Sequence, residues 1–168
     1  MSADAPPAGR RPLAVFDLDG TLADTRHRLH YVEGTPRDWK AFFRAAKDDP
    51  PLAEGIALAL DWAERCELAY VTGRPEYCRR STVRWLAAQG LPAGGRLSMR
   101  GARDFRPARV AKPALLRELA AEREIAVVVD DDLQVCEAYE NAGFAVVRAD
   151  WMPPAAALDR AQEEEGRT

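Results

Sequence analysis

The sequence predicts an α/β protein, a three-layer α/β/α sandwich built on a Rossmann-like parallel sheet. Short apolar runs without polar alternation recur along the chain, as expected of strands that are covered on both faces. Segments with the spacing of amphipathic helices separate these runs. Strands that alternate with helices favour a parallel sheet with helices on both faces, and such sheets bind ligands beyond the carboxyl ends of their strands.

The first half of the chain is expected to contain two strands and three helices. The segment 48–51 breaks the helical spacing, a Thr-Gly-Arg-Pro turn ends the second strand, and Gly90 stops the third helix. In chain order we expect a strand at 13–16, helices at 39–46 and 55–65, a strand at 66–71 and a helix at 76–89.

The second half continues the alternation of strands and helices. Its clearest strand has the sequence Ile-Ala-Val-Val-Val, and Pro113 predicts the start of a helix, because proline is favoured at the first helical position. In chain order we expect a strand at 97–99, a helix at 113–123, a strand at 125–129, a helix at 133–142 and a strand at 145–147.

One domain is expected from a chain of 168 residues. Residues 13–150 would form this domain, between a disordered leader at 1–12 and a tail at 151–168 that is a frayed helix or disordered. The segments 22–68 and 75–111 are too short for a large cap domain once their scaffold helices are assigned. We therefore expect a minimal cap or none, which leaves the ligand site open to bulky molecules.

Composition excludes several kinds of partner. The 24 Lys and Arg residues stand against 27 Asp and Glu residues, and a net charge of -3 provides no global basic field for nucleic acid or an anionic membrane. Three cysteines without CxxC spacing suit neither a disulfide framework nor a zinc site. No apolar run approaches the roughly 20 residues of a membrane helix, and the first residues lack a secretory signal core. We expect a cytoplasmic protein with no membrane partner, and the oligomeric state stays open.

Acidic, hydroxyl and basic residues follow the strands where a parallel sheet brings strand ends together. The Asp-Leu-Asp-Gly-Thr turn after the first strand would be an ordinary acidic turn if it stood alone. Its occurrence in one order with three further elements argues for a functional site. The elements are Asp17 and Asp19 after the first strand, Thr72 after the second, Lys112 before a helix, and Asp130 and Asp131 after the 125–129 strand.

The run of three acids at 130–132 indicates a bound cation. Three adjacent carboxylates repel one another when no cation lies between them, so a metal explains the cluster. Asp132 has a second interpretation, as the N-cap of the helix that follows it.

These four ordered motifs resemble those of the haloacid dehalogenase (HAD) superfamily over residues 13–147. The resemblance implies an Mg²⁺-dependent phosphatase in which Asp17 attacks phosphorus and forms an aspartyl phosphate. It implies that Asp19 protonates the leaving oxygen and then takes a proton from the attacking water. An acid at position 19 favours a phosphatase over a dehalogenase or an ion pump.

The same resemblance assigns the remaining site residues. Thr72 and the Gly73-Arg74 turn would hold phosphate oxygens, and Lys112 would offset the charge of the phosphate and of the nucleophile. The ligands of Mg²⁺ would be Asp17, Asp130 and the backbone carbonyl of Asp19, with Asp131 behind them or joined through a water.

Further segments are similar to the 3'-phosphatase module of polynucleotide kinase/phosphatase enzymes. The similarity implies nucleic-acid 3'-phosphate ends, DNA or RNA, as the substrate, with Arg100 joining Gly73 and Arg74 in substrate binding. The chain departs from that module at Asp132, where an Arg is usual, and around Lys112, which Ala111 precedes and Pro113 follows. The similar segments are His27-Arg28, Asp38–Phe43, Val71–Arg74, Met99-Arg100, Asp130-Asp131 and Gln134-Val135.

The stretch Arg96–Arg109 carries five arginines and leads into Lys112. It would suit backbone phosphates near the scissile one, or it forms a solvated loop. The aromatic residues Trp39, Phe42, Phe43 and Trp62 have helical spacing and are expected in the core.

Two other functions stay open at this point. One is a phosphatase of nucleotides or other small metabolites, which the acidic net charge favours. The other is a catalytically silent module that binds phosphoryl groups. The chain contains no GxxxxGK[ST] motif and therefore no P-loop kinase half, and whether a separate kinase or lid partner exists stays open.

Overall fold

The computed structural model of the chain describes residues 9–92 and 96–167. Most of the predicted leader, residues 1–8, lies outside the described residues. Residues 9–12 form no helix or strand, but the backbone N–H of Glu67 donates to the Pro12 carbonyl at 2.9 Å.

Five parallel strands form the sheet, in the order β3-β2-β1-β4-β5. All four residues of β1 have zero exposure, which fits a central strand that helices cover on both faces. The strand order reverses direction at β1, between β2 and β4, and such a switch point is where open α/β sheets bind ligands. The bounds are β1 Leu13–Phe16, β2 Glu67–Pro75, β3 Leu97–Arg100, β4 Ile125–Asp130 and β5 Val146–Arg148.

Helices flank both faces of the sheet. The odd-numbered side chains of β1 belong to a core cluster shared with α5 and α6, whereas its even-numbered side chains belong to a cluster shared with α2, α3, α4 and α7. The predicted three-layer α/β/α class is confirmed. The helices are α1 His30–Glu33, α2 Trp39–Ala45, α3 Ala53–Ala63, α4 Arg79–Ala88, α5 Ala108–Glu122, α6 Leu133–Asn141 and α7 Ala156–Glu165, with 3-10 turns at Arg26–Arg28, Ala46–Asp48 and Glu76–Cys78.

The helix that carries Lys112 begins five residues earlier than the sequence predicts. Helix α5 starts at Ala108, and Pro113 lies inside it. The prediction was wrong because it took Pro113 as the first helical residue, while the proline that stands next to the helix start is Pro107. Lys112 therefore does not precede the helix but lies in its second turn, one turn after Ala108.

The C-terminal segment forms a packed helix. Leu158 and Ala161 of α7 are buried in the same cluster as Trp39 and Phe42 of α2. The segments 22–68 and 75–111 form elements that pack on the sheet, in line with the predicted lack of a large cap. Among the described residues, no helix has both the length and the apolar character to cross a bilayer.

Candidate active site

Residues distant in sequence converge on one pocket at the carboxyl edge of the sheet. Its volume is about 380 Å³. The residues just after β1 and β4, the end of β2 and helix α5 each contribute to its walls, as the parallel topology dictates. The predicted site residues that line it are Asp17, Asp19, Thr72, Gly73, Lys112 and Asp131, whereas Arg74, Arg100 and Asp130 do not.

The loop after β1 fixes the two aspartates. The Leu18 carbonyl accepts from the N–H groups of Thr21, Leu22 and Ala23, which folds the loop tightly behind Asp17. Gly20 has a φ of 81°, and a Cβ at this position would lie 2.1 Å from Asp131 Oδ2. A glycine here therefore serves both the turn and the close approach of the Asp131 carboxylate.

Asp17 and Lys112 form a buried ion pair at the bottom of the pocket. The distance from Lys112 Nζ to Asp17 Oδ1 is 3.0 Å, and that to Asp130 Oδ2 is 2.8 Å. Burial raises the pKa of Asp17 to about 7, with repulsion from Asp130 adding to the effect and Lys112 opposing it. Burial alone would lower the pKa of Lys112, but Asp130 and Asp17 outweigh it and keep the ammonium charged. The ammonium group of Lys112 thus compensates charge on both Asp17 and Asp130.

Three carboxylates are arranged as a hard cation would require. Asp17, Asp130 and Asp131 each offer an oxygen, and these oxygens lie within 4.8 Å of one another. Burial, followed by repulsion from Asp17 and Asp130, raises the pKa of Asp131 well above its usual range. A divalent cation would remove this repulsion, and oxygen ligands suit Mg²⁺, so the residues present fit the ion.

Asp130 and Asp131 make different contacts in the fold. Asp130 accepts from Lys112 Nζ through Oδ2 and from the backbone N–H of Asp132 through Oδ1, at 2.8 and 3.0 Å. Asp131 lines the pocket. Asp131 thus lies on the pocket wall and Asp130 contacts Lys112, and both belong to the group of carboxylates that could hold an ion.

Two arginines form ion pairs with Asp19. Arg28 Nη2 lies 2.8 Å and Arg74 Nη2 lies 2.6 Å from Asp19 Oδ1. Burial alone would raise the pKa of Asp19, but the two guanidinium groups outweigh it and hold the pKa well below its usual range. Arg74, which the family resemblance assigns to the phosphate, contacts Asp19 and Asp49. Its side chain positions a catalytic candidate.

Asp49 binds the same two arginines, a contact that the sequence did not predict. Asp49 is buried and accepts from Arg28 at 2.8 Å and from Arg74 at 3.0 Å. In the sequence, Asp49 belongs to a helix-breaking segment, and Arg28 carries no signal beyond its part in the family resemblance. Thr25 was also missed: its buried hydroxyl has no hydrogen-bond partner among the described residues, and the residue lines the pocket.

The arginine-rich stretch at 96–109 is folded into internal contacts. Arg100 is buried and donates to the carbonyls of Gly73 and Gly166, at 3.2 and 2.6 Å. Arg96 pairs with Glu67, Arg106 with Asp104, and Arg109 with Glu163. Most of these charges are therefore already compensated by the protein.

The remaining residues that the sequence analysis discussed have structural roles in the fold. Asp132 caps α6, because its Oδ1 accepts from the N–H groups of Gln134 and Val135 at 2.8 and 3.2 Å. Trp39, Phe42 and Phe43 lie in the core as predicted. Helix α7 forms one wall of the pocket through Leu158, Asp159, Gln162 and Glu163.

The family model for the polynucleotide kinase PNKP phosphatase domain matches residues 12–151 of the chain. A search of curated protein sequences gave no match.

Solved structures show the same fold. The chain is similar to chains in two structures of the Pnkp1/Rnl/Hen1 complex, one described as an RNA repair complex, with TM-scores of 0.68 and 0.65 and identities of 22% and 24%. These matches cover 88% and 89% of this chain but only 45% and 48% of those chains, so this chain spans about half their length. It is also similar to the class C acid phosphatase of Bacillus anthracis with tungstate bound, with a TM-score of 0.60 and 15% identity over 94% of this chain and 80% of that one. A haloacid dehalogenase-like hydrolase of Streptococcus pneumoniae matches with a TM-score of 0.62 and 14% identity, over 90% of this chain and 91% of that one.

Proposed function

We propose a specific reaction for this chain, which belongs to the polynucleotide kinase PNKP phosphatase domain family and is a phosphatase of the HAD superfamily. The reaction is Mg²⁺-dependent hydrolysis of phosphate monoesters through an aspartyl phosphate on Asp17. The observation that carries the proposal is the 3.0 Å contact between Asp17 and Lys112 at the bottom of a pocket that Thr72 and Asp131 also line.

Each step of this reaction has a side chain suited to it. Asp17 attacks phosphorus, the ester P–O bond breaks, and the leaving oxygen takes a proton from Asp19. Water then attacks the aspartyl phosphate and gives its proton to Asp19, and the bond between phosphorus and Asp17 breaks to release phosphate. Lys112 and the Thr72-Gly73 turn would hold the charged oxygens throughout.

Asp17, Asp131 and the backbone carbonyl of Asp19 would hold the magnesium ion. When bound, Mg²⁺ would neutralise charge on the phosphoryl oxygens and on the nucleophile. Asp130 would keep Lys112 in place beside Asp17, as its 2.8 Å contact supports.

The state of Asp19 sets a requirement for the first step. Because Arg28 and Arg74 favour its carboxylate form, Asp19 is ready to accept the proton of water but must gain a proton before it serves as an acid. A phosphate monoester has a second pKa near about 6, so a substrate that arrives as the monoanion would bring that proton into the site.

Nucleic-acid 3'-phosphate ends are the substrate that we propose. The family description and the RNA repair complex among the similar structures support this choice. A second candidate is a phosphatase of nucleotides or small metabolites. The acidic side chain of Asp159 on the pocket wall favours it, because it repels a polyanion more than a small ester.

A substrate panel tests the proposal. Phosphate release would be measured with a 3'-phosphorylated oligonucleotide, a nucleoside 3'-monophosphate and sugar phosphates, each with Mg²⁺ and with a chelator. We expect Mg²⁺-dependent release with the highest kcat/KM for the oligonucleotide, and a loss of about 10³-fold or more in kcat for Asp17→Asn. Faster turnover of mononucleotides would replace the nucleic-acid substrate with the second candidate. No release from any ester would leave a silent phosphoryl-binding module.

A further inference from the structure

A second cavity lies near the active-site pocket and carries unpaired positive charge. Its volume is about 590 Å³, and it opens between the Ala46–Asp48 turn and helix α4. Lys47, Arg80 and Arg84 line it, and none of the three forms an ion pair within the part of the chain that the structure describes. We call this cavity the α4 groove; its exposed polar and aromatic lining residues are Lys47, Asp48, Tyr77, Arg80 and Arg84.

The groove keeps a net positive charge despite two aspartates in its lining. Asp49 directs its carboxylate at Arg28 and Arg74, at 2.8 and 3.0 Å, and is neutralised there. Asp48 is the one carboxylate that remains against three cations. Arg80 and Arg84 are four residues apart on α4 and therefore lie on one face of the helix. This face suits successive negative charges of a polyanion.

An exposed aromatic ring stands at the same groove. Tyr77 is 64% exposed, and its ring meets that of Phe43 edge-on, with centroids 6.3 Å apart. The contact with Phe43 orients the ring while leaving most of the residue accessible. Exposed aromatic rings beside a positive groove are the combination that binds single-stranded nucleic acid, since the bases stack while the cations follow the backbone.

The groove and the active-site pocket lie close to each other. Gly73 lines the pocket and Tyr77 lines the groove, and four residues of chain span at most about 14 Å. Arg74 lies between the two, because it contacts both Asp19 of the pocket and Asp49 of the groove. A chain of a few nucleotides is long enough to join them.

Charge decides which way a strand would leave the pocket. The wall that α7 forms carries Asp159 and Glu163, and Arg109 is already paired with Glu163. Arg148 also lines the pocket, but together with Asp150, so this side of the pocket carries no excess positive charge. On the side of Gly73 and Tyr77, a nucleic-acid strand would meet Lys47, Arg80 and Arg84 instead. The arginine-rich stretch 96–109 offers no comparable path, because most of its charges are paired within the protein.

We propose that the α4 groove binds the backbone of a single-stranded nucleic acid, a few nucleotides before the terminal 3'-phosphate that Asp17 attacks. Arg80, Arg84 and Lys47 contact its phosphates, and Tyr77 stacks on a base. This proposal rests on the proposed function, which it extends by naming the substrate's second point of attachment.

The test compares a long and a minimal substrate. The variant Arg80→Glu/Arg84→Glu would be assayed with a 3'-phosphorylated oligothymidylate of about ten nucleotides and with thymidine 3'-monophosphate, between about 50 and 200 mM salt. The matched control is Arg10→Glu/Arg117→Glu, which reverses two exposed charges, one before the amino end of β1 and one on α5.

We expect the groove variant to lose at least about tenfold in kcat/KM on the oligonucleotide, with its salt dependence shallower by about 1.4 in the log-log slope, since two single-strand phosphate contacts contribute about 0.7 each. Its activity on the mononucleotide should match the wild type, which also verifies that it folds. Tyr77→Ala should lose at least about fivefold on the oligonucleotide alone.

The outcomes separate the two proposals. If the wild type prefers the oligonucleotide but the groove variant behaves like the control, the proposal that the groove binds nucleic acid is wrong and the proposed function stands. If the wild type turns over both substrates equally, the nucleic-acid function fails, and the groove proposal fails with it.

Discussion

Arg28 is a fully buried cation that two carboxylates hold in place. It lies 2.8 Å from both Asp19 and Asp49, and its guanidinium stacks over the Phe42 ring at 4.2 Å from the centroid. Asp49 has almost no exposed surface of its own. Removing the arginine would therefore leave a buried carboxylate without half of its compensating charge, which is the costly way to break a buried ion pair.

We predict that Arg28→Ala lowers the free energy of unfolding by about 3–5 kcal/mol, measured by urea denaturation. Arg28→Lys should fall between the wild type and Arg28→Ala, because a lysine keeps the charge but loses the forked geometry that reaches two carboxylates. Arg26→Ala is the control: Arg26 forms an exposed pair with Asp24, so its loss should change the stability little. Equal losses for positions 26 and 28 would contradict the role of the buried cluster.

Among single residues, the sequence predicts the position of those that the sheet topology fixes. Asp17 and Asp131 follow strands and Thr72 lies in the carboxyl-terminal half of β2, so a parallel sheet must bring them to one edge. Arg28 and Asp49 are 21 residues apart in loops, and only the packing of those loops makes them partners. Arg100, which the family resemblance assigns to substrate binding, donates to the carbonyls of Gly73 and Gly166, and the sequence gives no sign of these contacts.

Among the elements, α7 is the one whose packing the sequence conceals. Its run of three glutamates resembles a solvated tail, but each glutamate has a cationic or indole partner in the fold: Glu163 pairs with Arg109, and Glu164 and Glu165 pair with Arg37. Trp39 also donates to Glu165. Strands were easier to predict, because an unbroken apolar run needs no knowledge of distant partners.

We predict that Leu158→Ala lowers the free energy of unfolding by about 2–4 kcal/mol, because Leu158 is only 6% exposed and anchors α7 to the core. Urea denaturation followed by circular dichroism measures this loss. The matched control is Leu60→Ala on α3, where 47% exposure limits the expected cost to about 1 kcal/mol. A loss at position 158 no larger than at position 60 would mean that α7 is not part of the cooperative fold.

For the molecule as a whole, the clustered carboxylates Asp17, Asp130 and Asp131 oppose folding when no cation binds them. Burial raises the pKa of Asp17, and it also raises the pKa of Asp130 and of Asp131. At neutral pH the unfolded chain has released these protons, whereas the folded protein must either retain them or keep repelling charges close together. The fold class follows from the sequence pattern, but this cost follows only from the distances within the site.

The sign of the pH dependence follows from these shifts. Between about pH 4 and pH 7 the folded protein binds more protons than the unfolded chain at Asp17, so its stability falls as pH rises through this window. Asp19 has a pKa shifted in the opposite direction, and its stabilising contribution is lost only in acid, below the usual carboxylate range. Without metal, the melting temperature should therefore be several degrees higher at about pH 5.5 than at about pH 8.

Mg²⁺ should reverse this trend, since it takes the place of the protons that the carboxylates would otherwise retain. We predict that saturating Mg²⁺ raises the melting temperature more at about pH 8 than at about pH 5.5, as followed by differential scanning fluorimetry with a chelator as the reference. Asp131→Asn should raise the metal-free melting temperature at the higher pH, because it removes one repelling charge, and should abolish most of the gain from Mg²⁺. The stabilisation by Mg²⁺ depends on pH in this direction only if its ligands must lose protons to bind the ion. A gain in melting temperature that is equal at both pH values, or that survives in Asp131→Asn, would therefore place the ion elsewhere.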